Sequence, residues 1–114
     1  MYLTSLTFPA GPTTSAAEVR LLGMENREFR LKTALEAVAH RYGWIIIDCP
    51  PSLGLLTLNA LCAADSLLVP LQCEFFALEG LSQLLQTVER VQQGFNSDLG
   101  IIGVVLTMFD RRNR

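Results

Sequence analysis

A chain of 114 residues, 50% hydrophobic and 18% charged, has the composition of one globular domain and contains no disordered low-complexity stretch. Its formal charge of −2 excludes a strongly basic wrapper of nucleic acid. The apolar runs, such as Trp44–Ile47 and Ile101–Leu106, fall well short of the ~20 residues that span a bilayer.

The N-terminus has no basic start, and Pro9, Gly11 and Pro12 interrupt it before an apolar block forms. No signal peptide is read, and a cytoplasmic location is expected. Leu3–Phe8 is short and β-prone, and Pro9–Thr14 breaks it. A helix is expected from Ser15, which stands three residues before Glu18 at capping-box spacing. Gly23 interrupts it. A second helix over about Asn26–Arg41 would place Phe29, Leu31, Leu35 and Val38 on one face.

Gly43 ends that helix, and Trp44–Asp48 follows as a continuous apolar run closed by a carboxylate. Such a run predicts a strand covered on both faces, hence a parallel sheet. Pro50 and Pro51 stop it, since neither can donate to a ladder. Leu53–Ala64 predicts a short helix with Ser52 as N-cap. Ser66–Leu71 predicts a second strand closed by Pro70. Phe75–Gly94 predicts the longest helix, striped by Leu78, Leu81, Leu84, Leu85, Val88 and Val91, and Ile101–Leu106 predicts the last strand. Strands alternating with helices over units of about thirty residues indicate an α/β parallel sheet with right-handed crossovers.

Cys49, Cys62 and Cys73 are widely spaced in apolar contexts, and the single histidine, His40, sits in a charged helical stretch. They read as reduced, partly buried thiols rather than zinc ligands. Cys49 has no histidine nearby in sequence, and the adjoining Asp48 would raise a thiol pKa, which argues against a thiolate nucleophile. Asp48 carries the chemistry. In a parallel sheet, ligands bind beyond the carboxyl ends of the strands, so a strand-ending carboxylate points into that crevice. It reads either as a magnesium-site residue or as an ordinary aspartate capping a turn. Thr107, Met108 and Asp110 end the last strand on the same expected edge. Phe75 and Phe76, with Glu74 and Glu79, open the long helix and read as core packing or as a partner face.

Longer strings decide between the readings of Asp48. Ile45-Ile46-Ile47-Asp48-Cys49-Pro50-Pro51-Ser52-Leu53-Gly54 resembles the Walker B and switch II segment of ParA/Soj-type partition ATPases. Leu56–Leu61, Val69–Leu84 and Gly103–Asp110 continue the resemblance, as does Asn26–Lys32 upstream. It covers nearly the whole chain. The resemblance implies a partial parallel-sheet P-loop NTPase domain. Asp48 would hold Mg2+ through a water, so that the metal neutralises the β- and γ-phosphates of ATP. Cys49, Pro50, Pro51, Ser52 and Gly54 would form switch II. Arg112, flanked by Arg111 and Arg114, matches the arginine with which the family binds DNA non-specifically. The family's activity is ATP-driven homodimerisation on DNA, stimulated by a ParB-like partner, at the nucleoid and without membrane contact.

The chain also departs from the family pattern. The family's phosphate loop is glycine-rich with two lysines, whereas the only lysine here, Lys32, follows Leu31 with no glycine beside it. The switch I aspartate and the C-terminal helices have no counterpart either. The chain is therefore expected neither to hydrolyse ATP nor to bind ATP and Mg2+ tightly by itself. A sheet edge beside the Asp48 strand is expected to lie open and to invite association. Two other functions fit the same strings: a non-catalytic interaction module, and a related ATPase that positions the division machinery or another cargo.

Overall fold

The structure is a computed structural model describing residues 12–49, 54–72 and 77–107. In chain order it forms α1 (Pro12–Leu22), α2 (Arg30–Glu36), α3 (Leu55–Ala63), β1 (Ser66–Gln72), α4 (Ala77–Gly94) and β2 (Gly100–Thr107), with short 3-10 turns at Arg27–Phe29 and Ala39–Arg41. β1 and β2 pair in parallel, Ser66 opposite Gly100 and Gln72 opposite Thr107, with one irregularity between Leu67 and Leu68. The expected α/β class with a parallel sheet is what forms. The 18-residue α4 supplies the long crossover that a parallel pair requires.

The helices begin and end differently from the sequence expectation. α1 starts at Pro12, so Ser15 lies inside it rather than capping it. Proline suits a first helical turn, where its missing N–H is not needed. The stretch over Asn26–Arg41 is not one helix. Asn26 takes a left-handed conformation, φ 51 and ψ 39, which a short polar side chain tolerates. Within α2, the amide of Leu31 donates to Oδ1 of Asn59 on α3 at 3.2 Å. This partner from another helix stands in for a local cap, since Phe29 at the cap position offers none. α3 begins at Leu55 with Gly54 at its N-cap position, not at Leu53 with Ser52.

α3 is the centre of the fold. Leu56, Thr57, Asn59, Ala60, Leu61, Cys62 and Ala63 are all buried, leaving the helix no polar face, as befits a core helix. Ala60, Leu61, Cys62 and Ala63 join Ile47, Ala64, Leu67, Val69, Val88, Val91 and Leu99 in one cluster, against which Phe29, Leu31 and Leu35 pack. Burying a side chain such as Leu61 stabilises by roughly 1.5–3 kcal/mol. The end of α3 is capped from afar: Asn96 Nδ2 donates to the carbonyls of Leu61 at 3.0 Å and Ala64 at 2.7 Å, with Cys62 at 3.3 Å.

The strand layer is less complete. Residues 44–49 form no ladder among the described residues, contrary to the expected strand, because the neighbouring donors and acceptors that a strand needs are not among them. Burial still alternates as in an extended chain: Ile47 is buried and Ile45 and Cys49 pack on the core, whereas Trp44 and Ile46 are exposed. Pro70 does not close β1, which continues to Gln72. Pro70 sits opposite Val105 and has no N–H to give, so β1 runs through it with one ladder donor fewer. β2 is not covered on both faces, since Ile101, Ile102, Val104, Val105 and Leu106 are all exposed. On α4, Leu81, Leu84, Val88 and Val91 face the core, but Leu78 and Leu85 lie outside that stripe.

Candidate functional site

Asp48 follows Ile47, whose side chain is 2% exposed and locked into the core. With side chains alternating along the segment, the carboxylate leaves on the opposite side from Ile47 and is half-buried. Cys49 turns back onto the core. Burial, and after it the charge of Asp48, pushes its thiol up to about 11. A thiolate nucleophile is thus disfavoured near neutral pH, as the adjacent carboxylate implies. Cys62 is likewise pushed up to about 11 by burial and by Glu28, with Lys32 acting in the opposite direction.

Gly54 stands extended at the start of α3, φ −81 and ψ −175, with no side-chain cap on the helix. Its carbonyl accepts the Leu58 amide at 3.0 Å. Thr107 ends β2 opposite Gln72, at the carboxyl edge of the ladder where parallel sheets receive ligands. Pro50, Pro51, Ser52, Met108, Asp110 and Arg112 lie outside the described residues, as do Cys73, Glu74, Phe75, Phe76, Arg111 and Arg114.

Among the described residues, no group of three or more His, Cys, Asp or Glu side chains converges on one point. Among the described residues no helix is long and apolar enough to cross a membrane.

Asn59 and Asn96 escaped the sequence reading, although they hold the helix that follows the site. Their signal was a polar side chain where an apolar one was due, Leu58-Asn59-Ala60, and an asparagine just past a long helix. Asn59 Nδ2 also donates to Leu55 O at 3.0 Å, which ties the first turn of α3 to α2.

The AAA domain family model (AAA_31) matches residues 5–101. The chain is 64% identical over 104 residues to the chromosome partitioning protein ParA of Myxococcus xanthus (strain DK1622), a match covering 91% of this chain and 37% of that protein. It is 61% identical over 104 residues to the sporulation initiation inhibitor protein Soj of Bacillus subtilis (strain 168), covering 91% of this chain and 41% of that one. A cobyrinic acid a,c-diamide synthase from Mycobacterium smegmatis, solved with bound ATP analog and magnesium, superposes with a TM-score of 0.84 at 47% identity, covering 91% of this chain and 43% of its own. The chain thus spans about two-fifths of the length of these relatives.

Proposed function

The chain belongs to the AAA domain family and is of its ParA/Soj type, and from that premise we propose that it forms the magnesium-site and switch portion of an ATP-dependent DNA-partitioning protein. The observation that carries this reading is the anchoring of Asp48. A core-locked Ile47 holds the backbone beneath it, so the carboxylate is presented from a fixed base rather than from a mobile loop.

In this reading Asp48 would hold Mg2+ through a water, and the ion would supply positive charge against the phosphates of ATP. Pro50 and Pro51 keep the exit from the segment stiff. Ser52 and Gly54 are the polar contacts of the switch, and Gly54 hands any shift directly to α3, whose first amide bond it accepts. Thr107, Met108 and Asp110 border the nucleotide. Arg112, with Arg111 and Arg114, meets DNA phosphates without sequence preference, so DNA affinity falls steeply with salt. The active species is a homodimer stimulated by a ParB-like partner. The phosphate cradle comes from residues outside these 114, which contain no glycine-rich loop with a lysine. The 114 residues alone neither turn over ATP nor bind it tightly.

Asp48→Ala, introduced into the full-length protein that carries this chain, should lower magnesium-dependent ATP turnover by ~10–100-fold or more. Its circular dichroism should stay unchanged. Unaltered turnover would remove Asp48 from the magnesium site.

A further inference from the structure

We propose that the cleft between the first turn of α3 and the C-terminal half of α4 is a binding site for a small carboxylate with an apolar body. The cleft is half-open to solvent and offers about 500 Å³, within the ~300–1,000 Å³ typical of small-molecule pockets. Leu55 and Leu58, one turn apart on α3, form one wall, and Val91, 1% exposed, forms the floor. Phe95 closes the end. Its ring is set by Phe29, 5.8 Å away at an interplanar angle of 59°.

The polar lining is what selects the ligand. Among the described residues no acidic residue lines the cleft, and Arg90 is the only charged one that does. Arg90 is exposed at the rim, and its helix neighbours three and four residues away are Gln86, Thr87, Gln93 and Gly94. No carboxylate on α4 therefore reaches it at the spacing that neutralises helical arginines. The Thr87 hydroxyl already donates to the Gln83 carbonyl at 3.1 Å, so it offers a ligand an acceptor and no further donor. Thr57, 5% exposed, and Gly54 complete the lining, so the site provides one planar, charged donor at its rim beside the side chains of Leu55, Leu58, Val91 and Phe95. A guanidinium fork matches a carboxylate in both shape and charge. A phosphate dianion would be under-compensated by a single cation beside apolar walls. This proposal rests on the cleft alone and does not depend on the nucleotide reading.

Titration of the isotope-labelled 114-residue chain with phenylpropanoate, followed by amide NMR, tests it. Saturable shifts should appear at Leu55–Leu58 and Thr87–Phe95. Phenylpropanol, of the same shape without the charge, should bind about tenfold more weakly, as loss of a charge-assisted hydrogen bond implies. Arg90→Gln should weaken the carboxylate to the same degree and leave the alcohol unaffected. Thr87→Trp, which fills the cleft, should abolish both. Equal affinity for acid and alcohol, unchanged binding by Arg90→Gln, or shifts centred on the exposed strand β2 would overturn the proposal.

Discussion

The helix α3 and the strand β2 are both rich in apolar residues, yet they meet opposite surroundings. α3 is Leu55-Leu56-Thr57-Leu58-Asn59-Ala60-Leu61-Cys62-Ala63, and seven of these nine residues are buried. β2 is Gly100-Ile101-Ile102-Gly103-Val104-Val105-Leu106-Thr107, and none of its eight residues is. The difference lies in where backbone hydrogen bonds are found. A helix satisfies its own interior, and α3 is helped at its C-terminal end by Asn96, while its own Asn59 serves the start of α2. A strand satisfies nothing by itself, so its burial waits on neighbours at both edges and both faces. Composition therefore marks apolar segments in both layers, but only the helix carries most of its solution within its own sequence.

This contrast can be broken most severely at its centre. Leu61→Ala removes a side chain that is 1% exposed and should cost ~2–5 kcal/mol in urea unfolding of the 114-residue chain. Asn96→Ala strips the donor from the last carbonyls of α3 and should cost ~1–3 kcal/mol. If it cost nothing, the distant cap would not be holding the helix.

A smaller effect should follow from pH. Both Cys49 and Cys62 rise from an ordinary 9.0 to about 11 in the folded chain, so the unfolded chain loses these protons first. The contribution of the thiols should be intact below about pH 9 and lost as pH climbs towards 11. The double replacement Cys49→Ala and Cys62→Ala should flatten that decline in a pH series of melting temperatures. The smallest effect on stability belongs to β2. Ile102→Lys, at a side chain 55% exposed, should stay within ~0.5 kcal/mol of the parent. The same change should reduce self-association in sedimentation experiments, because a charge blunts an open strand.

The candidate site divides along the same line. Asp48, Cys49 and Gly54 were singled out by the resemblance carried by the Ile45–Gly54 string, and the fold puts Asp48 half-buried, Cys49 against the core and Gly54 at the start of α3. The behaviour of the Cys49 thiol was legible because its neighbour supplies part of the shift. Arg90 was not legible as a ligand partner. In sequence it is one more arginine on an amphipathic helix, and only the approach of α3 gives it a cleft.

Sequence by itself determined the class of the fold, the order of its apolar segments and the ParA/Soj strings, since each follows from periodicity or from residues adjacent in the chain. It also marked Phe29, Leu31 and Leu35 for the core. Tertiary structure alone decided the splitting of the helix expected over Asn26–Arg41, the continuation of β1 through Pro70 and the exposure of β2. It alone decided, too, that two asparagines would hold the ends of helices far from them in sequence. Each of these depends on a partner some 28–35 residues away or on whether an edge is occupied, and pairing at that range is invisible until the chain is folded.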